Sequence, residues 1–412
     1  MSDRPLRLLY VVSLYPCWSE TFIVREIAAL VAAGADVRVL SLKAPREALV
    51  QPEAAKLLPR VRHPLPAARA ALARAQALGA HPGAAGDALL AVTRRLWRHP
   101  VDLAKSVEAM ARGLEQLAWI EQFDPDVIHA HWATFPSTVA WMLARLTGRP
   151  FGFTAHAHDI FVNDHLLREK LDAAAVPVTI SRFNVEHLAR AAPAARGRLA
   201  VVHCGVDVGT LPFRPDGRER GLILAVGRLD PIKGFDVLIE AIARLAAEGR
   251  SVRCRIIGAG PEEAALRALI ARHGLSAAVD LPGALAEDEV RAALHRAAIV
   301  VLPSVVTATG NRDGIPVSLM EAMAAGAPVV STRVSGIPEL IEDEREGLLV
   351  PERDPHALAG ALRRLLDDPD LGARLALAAR GKVEREFDAT REAAKLLALF
   401  GRARAGGARQ SA

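Results

Sequence analysis

Short apolar runs alternate with amphipathic helical segments along most of this chain. Runs of this kind, without polar alternation, are typical of strands that are buried on both faces of a parallel sheet. A helix is predicted over residues 20–33, where Gly34 would end it, and residues 52–122 are predicted to be mostly helical. The predicted strands of this half are residues 6–12, 36–42, 126–130, 151–155 and 176–180.

The alternation stops at residues 211–221, a polar stretch with two prolines that is predicted to be a linker, and then resumes. Helices are predicted at residues 234–249 and 261–274. The predicted strands are residues 221–227, 252–258, 277–281, 299–302, 328–331 and 347–350. The alternation of strands and helices predicts an α/β fold with parallel sheets.

We therefore predict two doubly wound, Rossmann-like domains, residues 1–210 and 211–385, that face each other across a cleft. Residues 386–412 are predicted to form a helix that packs back on the first domain and ends in a disordered tail. In doubly wound sheets, ligands bind beyond the carboxyl ends of the strands. Candidate site residues are therefore expected directly after strands.

Composition excludes some classes of function. The chain has 412 residues, of which 51% are hydrophobic and 4% aromatic, and 52 basic residues face 47 acidic ones. This mild excess of positive charge, without interleaved aromatic residues, argues against a nucleic-acid partner. The richest basic region, residues 60–112, is interpreted as solvated helix faces or, alternatively, as a peripheral contact with an anionic membrane.

Three cysteines at wide spacings form no disulfide framework and no zinc pattern. The N-terminal segment reads as a strand and not as a signal peptide, and no stretch reaches the roughly 18 apolar residues of a membrane span. We therefore expect a cytoplasmic protein, with any membrane association at the inner face of the plasma membrane.

Two cations follow the first strand of the second domain, in the segment AVGRLDPIKGFDVLIEA. Arg228 and Lys233 are predicted to lie in the loop between this strand and the next helix. Fixed positive charges beside a helix N-terminus suit a bound anion such as a diphosphate. The residues alone leave open a second interpretation, a surface loop whose cations are simply solvated.

Two carboxylates occur in the segment TGNRDGIPVSLMEAMAAGAPVVS. Asp313 precedes a predicted helix, Gly314 frees the backbone, and Pro316 suits the first helical turn. Glu321 lies inside this helix among apolar neighbours. It is predicted either to bind vicinal hydroxyls, as a carboxylate does well, or to be a partly buried structural carboxylate.

In combination, these two segments resemble the family 4 retaining glycosyltransferases, which have the two-domain GT-B fold. The family's acid, seven residues and glutamate match Asp313 and Glu321, and its GRL-x-x-x-KG element matches residues 227–234. Four segments of the first half, YPCWSETFIVREI, IHAHWA, FTAHAHDIF and ISRFN, resemble the branch that acts in colanic-acid and exopolysaccharide biosynthesis. Asp313 departs from the pattern, because the family usually has glutamate there.

The resemblance implies that a sugar moves from a UDP- or GDP-type nucleotide sugar to an acceptor hydroxyl with retained configuration. The implied acceptor is a glycan or a lipid-linked oligosaccharide for surface polysaccharides such as exopolysaccharide or lipopolysaccharide. Arg228 and Lys233 would bind the donor diphosphate and stabilise the leaving group. Glu321 would bind the ribose hydroxyls.

The resemblance also implies residues around the donor sugar and the acceptor. Asp313 and His156 would lie near the sugar, and Asp159 would orient His156 or shape the site. Ser19 and Glu20 are assigned to the acceptor side, although Ser19 could equally cap a helix. The backbone groups expected beside the sugar are those of Gly314, Ile315 and Pro316.

No metal or other cofactor is predicted. His129 and His131 alternate on a strand, as His156 and His158 do after another, but no third ligand type is evident nearby, so hydrogen-bonded histidines are favoured. The acidic pair Asp124 and Asp126 precedes its strand and is interpreted as a turn. The segment IIGAGPEE has a glutamate where a dinucleotide-binding loop has its third glycine, which argues against NAD binding.

Two other classes of function share this architecture. A non-hydrolysing sugar-nucleotide epimerase or a phosphorylase would have the same two domains, although a phosphorylase needs further cofactor machinery. A non-catalytic sugar-nucleotide-binding protein is the third possibility. Titration with nucleotide diphosphates separates a non-catalytic scaffold from the transferase, and transfer of a labelled sugar excludes isomerisation.

Overall fold

The computed structural model describes residues 4–17, 20–45 and 50–410, without the side chains of 407–410. The chain divides into two compact units. The first unit consists of Met1–His203 together with Thr390–Ala412, and the second is Cys204–Ala389.

The described part of the first unit contains a sheet of seven parallel strands in the order β3-β2-β1-β4-β5-β6-β7. The order of the strands in the sheet reverses beside β1, as in other doubly wound sheets. The strands are β1 Arg7–Leu14, β2 Asp36–Lys43, β3 Val61–Arg62, β4 Val127–His131, β5 Phe151–Ala155, β6 Val176–Thr179 and β7 Ala200–Val201. The five predicted strands are confirmed to within two residues at each end.

Helices cover both faces of this sheet, because its central strands are apolar on both sides. Within the predicted helical region, residues 61–62 instead form the edge strand β3, which pairs with β2. The helices are α1 Thr21–Ala32, α2 Pro52–Leu57, α3 Ala67–Ala80, α4 Pro82–Leu96, α5 Pro100–Leu114, α6 Leu117–Phe123, α7 Phe135–Thr147, α8 His158–Phe161, α9 Leu167–Ala173 and α10 Arg182–Ala191.

The second unit has six described parallel strands in the order β10-β9-β8-β11-β12-β13. Its six predicted strands are also confirmed to within two residues. The strands are β8 Glu219–Val226, β9 Arg253–Ile257, β10 Val279–Gly283, β11 Ala297–Leu302, β12 Val329–Thr332 and β13 Leu348–Val350. The helices are α11 Phe235–Ala247, α12 Glu263–Arg272, α13 Glu287–Arg296, α14 Val317–Ala324, α15 Ile337–Leu340, α16 Pro355–Asp367 and α17 Pro369–Glu386.

The polar stretch 211–221 is not the free linker that its composition suggests. Leu211 is buried in the core of the second unit, and its carbonyl oxygen accepts a hydrogen bond of 2.6 Å from Arg380. Strand β8 already begins at Glu219. The apolar anchor outweighs the polar residues around it, and the chain passes from the first unit to the second at residues 203/204.

The last helix, α18 Ala389–Gln410, packs on the first unit. Phe400 is fully buried there, and its ring lies 5.0 Å from that of His129 and 6.5 Å from that of Tyr10. The helix extends to Gln410, into the residues for which a disordered tail is predicted.

Candidate active site

The loop after β8 carries the two predicted cations on a tightly packed backbone. Gly234 ends a 3-10 turn, Pro231–Lys233, with φ at +62°, and a Cβ atom at this position would lie 2.1 Å from the carbonyl oxygen of Pro303. A Cβ on Gly260 would lie 2.3 Å from the carbonyl oxygen of Leu229. Since only glycine fits at such contacts, the loop is held between the loops that follow β9 and β11.

This loop brings Lys233 to Asp313, 80 residues further along the chain. The Lys233 Nζ donates a hydrogen bond of 2.7 Å to Asp313 Oδ1, and the Ser304 hydroxyl donates one of 2.7 Å to Asp313 Oδ2. The Asp313 side chain is 11% exposed, and that of Lys233 16%. A carboxylate that is this deeply buried needs such hydrogen-bond partners. The contact between Lys233 and Asp313 is therefore a structural feature of the site.

The other predicted residues of this unit lie in the loop after β8 and in the segment 314–321. Arg228 belongs to the same loop, but its side chain is exposed. Asp313 is followed by half-buried Gly314 and by buried Ile315 and Pro316, and Pro316 caps α14 instead of lying in its first turn. Glu321 lies half-buried on the second turn of α14.

In the first unit, His156 lies at the carboxyl end of β5 and is 4% exposed. Its Nε2 lies 3.1 Å from His131 Nδ1, at the end of β4, and His131 Nε2 lies 3.1 Å from Glu26 Oε1 on α1. Tyr10 donates a hydrogen bond of 2.7 Å to the same oxygen of Glu26. Four residues, from β1, α1, β4 and the end of β5, therefore form one hydrogen-bonded chain, which we call the Glu26 relay (Tyr10, Glu26, His131 and His156).

Asp159 holds the backbone around His156. Its carboxylate accepts hydrogen bonds from the backbone N–H of His156 at 3.0 Å and of Ala133 at 2.6 Å. Asn184, from the segment ISRFN, donates to the His156 carbonyl oxygen. Asp159 is thus placed to position His156, whereas neighbouring His158 is exposed.

Two aromatic rings lie beside His156, and one of them is hydrogen-bonded to Glu20. The Trp132 ring lies 4.4 Å and the Phe22 ring 4.9 Å from the His156 ring, measured between ring centroids. The Trp132 indole N–H donates a hydrogen bond of 3.0 Å to Glu20 Oε1. The structure therefore brings the predicted residues Glu20, His156 and Asp159 together, while Ser19 lies outside the described residues.

Burial sets the charges of this region. Burial, together with the neighbouring His131 and His129, lowers the pKa of His156 well below its ordinary value, and burial lowers the pKa of His129 to about 3. Burial alone would raise the pKa of Glu26, but His131, His129 and Tyr10 reverse the effect and lower it. At neutral pH, His129 and His156 are therefore neutral and Glu26 is an anion.

Buried Lys170 was not found from the sequence. Its ammonium donates hydrogen bonds to the carbonyl oxygens of Ala133 at 2.6 Å and Thr134 at 2.8 Å. Burial lowers its pKa to about 7, although Asp159 and Glu169 oppose the shift. A lysine in an amphipathic helix ordinarily faces water, so sequence alone offers no signal for this one.

Three residues could hold a metal ion, and none of them is a predicted site residue. His99, Asp102 and His165 each offer one ligand atom, and these atoms lie within 4.8 Å of one another. The histidines that alternate on β4 are hydrogen-bonded, as predicted, since His129 Nε2 lies 2.9 Å from the Thr154 hydroxyl and His131 belongs to the Glu26 relay.

The acidic pair Asp124 and Asp126 and the segment IIGAGPEE, which argue against metal and NAD binding in the sequence, have structural roles. Asp124, with φ at +50°, ends α6 and pairs with Arg7 and Arg149, which confirms the predicted turn. Gly258, from the segment IIGAGPEE, could bear no Cβ, because that atom would lie 1.8 Å from the carbonyl oxygen of Gly227. The close packing of two loops therefore explains why residue 258 is a glycine.

Two family models match the chain. The model described as Glycosyltransferase Family 4 matches residues 19–210, and the model described as Glycosyl transferases group 1 matches residues 220–368. Between them they cover most of both units.

Two bacterial proteins are similar in sequence to this chain. WcaL of Escherichia coli K12, named for colanic acid biosynthesis, is 45% identical over 49% of this chain and 51% of its own length. The amylovoran biosynthesis glycosyltransferase AmsK of Erwinia amylovora is 46% identical over 42% of this chain and 44% of its own length. The chain therefore spans about half the length of these relatives.

HepE of Anabaena, solved in complex with UDP and glucose, is similar in fold. Its TM-score to this chain is 0.68, with 96% of this chain and 99% of HepE covered at 17% sequence identity. This likeness confirms the predicted GT-B class with two Rossmann-like domains.

Proposed function

Because the chain belongs to the family 4 and group 1 glycosyltransferases, we propose that it transfers a sugar from a nucleoside diphosphate donor to an acceptor hydroxyl. The observation that carries this proposal is the contact between Lys233 and Asp313, a cation and a carboxylate that meet after strands β8 and β11. Ligands of doubly wound sheets bind at this edge.

In the proposed reaction, Lys233 and exposed Arg228 bind the two phosphates. The bond between the anomeric carbon and the phosphate oxygen breaks, and negative charge grows on the departing diphosphate. Cations placed there stabilise the transition state more than the ground state, which accelerates the reaction. Glu321 accepts hydrogen bonds from the ribose hydroxyls.

The acceptor oxygen forms the new bond to the anomeric carbon, and its proton passes to the departing diphosphate. Attack on the face that the diphosphate leaves retains the anomeric configuration. Asp313, together with Gly314, Ile315 and Pro316, contacts the donor sugar. Neutral His156 serves as a hydrogen-bonding partner for a hydroxyl of the sugar or acceptor, and Asp159 positions it. Glu20 lies on the acceptor side.

The proposed acceptor is a glycan or lipid-linked oligosaccharide that becomes surface polysaccharide. The names of WcaL and AmsK, both assigned to the biosynthesis of such polymers, support this choice. HepE, with its bound UDP and glucose, makes UDP-glucose a sensible first donor to assay. No metal or other cofactor is required in this scheme.

A lipid-linked acceptor calls for contact with a membrane surface, and we place it on helices α3–α5. Seven of the twelve exposed large hydrophobic side chains in the described residues lie between Leu72 and Val107, among them Trp97 and Val101, which are 62% and 63% exposed. Residues 67–107 carry six basic and two acidic residues. Apolar side chains beside cations suit an anionic bilayer.

No described helix combines the length and the apolar character that are needed to span a bilayer.

The experiment that tests the proposed function is a screen of UDP- and GDP-sugars with lipid-linked acceptors. Transfer of a radiolabelled sugar to the acceptor is the expected result. Conversion of the donor into its epimer without transfer would establish the epimerase alternative, and binding of nucleotide without any turnover would establish the non-catalytic one.

A further inference from the structure

The ionised carboxylate of Glu26 limits which atoms of the Glu26 relay can donate hydrogen bonds. An ionised carboxylate can only accept hydrogen bonds, and Glu26 Oε1 accepts from Tyr10 and faces His131 Nε2 at 3.1 Å. In the neutral form of the His131 ring, a proton on Nε2 leaves Nδ1 as an acceptor. His156 Nε2, 3.1 Å from that nitrogen, is then the donor.

We propose that Glu26 and His131 are positioning residues that hold His156 in a single tautomer, with Nε2–H donated to His131 and Nδ1 kept as an acceptor for a substrate hydroxyl. This inference rests on the proposed function for its substrate, but the tautomer is a property of the protein alone. It assigns roles to two residues that lie in the segments YPCWSETFIVREI and IHAHWA and for which the sequence predicts no catalytic role.

The surroundings of His156 leave little freedom to break this arrangement. The centroid of its ring lies 4.4 Å from that of Trp132, 4.9 Å from that of Phe22 and 5.3 Å from that of His131. Asp159 and Asn184 both form hydrogen bonds to the backbone of His156. The titratable and charged groups around it come from four elements and the loop before α1: Glu20, Glu26, His129, His131, Asp159 and Lys170.

Burial supports the neutral state that the relay requires. It lowers the pKa of His156 well below its ordinary value and lowers that of His129 to about 3. A neutral imidazole with one fixed tautomer presents one donor and one acceptor, so it distinguishes a hydroxyl that donates from one that only accepts.

The test compares ring-nitrogen signals of ¹⁵N-histidine-labelled full-length protein in long-range ¹H–¹⁵N spectra, where protonated and bare nitrogens differ in chemical shift. The His156 signals are identified by their loss in His156→Gln. We expect Nε2–H and bare Nδ1 in the parent protein. In Glu26→Gln the new amide can donate as well as accept, so the direction is lost and both tautomers appear.

Tyr10→Phe is the matched control, because it removes a hydrogen bond from the same carboxylate oxygen without changing what Glu26 can accept. It should keep the parental tautomer. In transfer assays, Glu26→Gln should lose about tenfold or more in kcat, with little change in KM for the donor.

A His156 that carries its proton on Nδ1 in the parent, or that keeps one tautomer in Glu26→Gln, would overturn the relay. His131→Phe, which keeps the ring but removes both nitrogens, provides a second variant if Glu26→Gln fails to fold. The spectra need no substrate. Absence of transfer by the parent protein would therefore contradict the proposed function, whereas an unchanged tautomer would contradict the relay.

Discussion

Lys233 Nζ lies 2.7 Å from Asp313 Oδ1, and the carboxylate is held from its other side by Ser304. The contact joins the two segments on which the family resemblance depends, the loop after β8 and the stretch before α14. It also means that the cation proposed for the donor diphosphate is partly neutralised before any donor binds. Asp313 and the diphosphate therefore compete electrostatically for the same ammonium.

Asp313→Asn removes this competing charge and keeps the shape of the side chain. We expect UDP or GDP to bind severalfold more tightly, because the ammonium and the diphosphate no longer share a third charge. Sugar transfer should nevertheless fall by about tenfold or more, since Asp313 is proposed to contact the donor sugar. Calorimetric titration and initial rates measure the two effects separately. Weaker nucleotide binding by the variant would contradict the competition between charges.

Gly234→Ala tests whether the packing of the loop positions Lys233. The new Cβ would lie 2.1 Å from the Pro303 carbonyl oxygen, so the loop must shift. The matched control is Gly249→Ala, where φ is also positive, at +77°, but a Cβ meets open space. The control should lose only about 1–2 kcal/mol of stability.

We expect Gly234→Ala to have the lower thermal midpoint of the two variants and to bind nucleotide more weakly than the parent. Differential scanning calorimetry and nucleotide titration provide these measurements. Equal thermal midpoints of the two variants and unchanged nucleotide binding would contradict the claim that the packing of this loop positions Lys233.

The buried histidines predict how the stability of the first unit depends on pH. The pKa of His129 falls from 6.5 to about 3 on folding, and that of His156 also falls, so the unfolded chain binds more protons in this range. Stability is therefore fully present above pH 6.5 and decreases as the pH falls below it. Each histidine should contribute about 1.4 kcal/mol per pH unit.

All five tryptophans precede residue 142, so tryptophan fluorescence reports on the first unit. Urea midpoints between pH 6.5 and 5, before most carboxylates titrate, should decrease less steeply in His129→Gln than in the parent protein. The same slope in both proteins would contradict the assigned burial of His129.

The surface of α3–α5 predicts a charge-dependent membrane contact. Flotation with vesicles should recover the parent protein on phosphatidylglycerol and not on phosphatidylcholine. The double variant Arg94→Glu/Arg95→Glu should lose this binding, while Arg272→Glu, a charge reversal on α12 in the second unit, should keep it. Equal recovery of all three proteins on both lipids would contradict the contact.

Patterns that are local in sequence predicted most of the fold. Continuous apolar runs located eleven strands, because a strand buried on both faces admits few polar residues. The two-residue strands β3 and β7 are not predicted, since their pairings with β2 and β6 are tertiary. The stretch 211–221 was misinterpreted for a related reason: its composition is polar, but Leu211 anchors it in the core.

In the candidate site, too, local sequence patterns identify some residues, whereas others depend on tertiary contacts. Lys233 and Asp313 could be predicted, because each lies in a segment with a recognisable spacing. Glu26 could not, since it appears as an ordinary polar position of an amphipathic helix until the fold sets it against His131. His131 was noticed as part of an alternating pair, but its partner depends on the adjacency of β4 and β5.

The central claim is that Lys233 belongs to a diphosphate site, and nucleotide affinity of Lys233→Ala tests it most directly. Calorimetric titration of the parent with UDP, GDP and their monophosphates should show tighter binding of one diphosphate, and Lys233→Ala should lose about tenfold or more of that affinity. Lys56→Ala, which removes an exposed lysine of α2, is the control and should bind as the parent does. Parental diphosphate affinity in Lys233→Ala, or no binding of any nucleotide by the parent, would contradict the account.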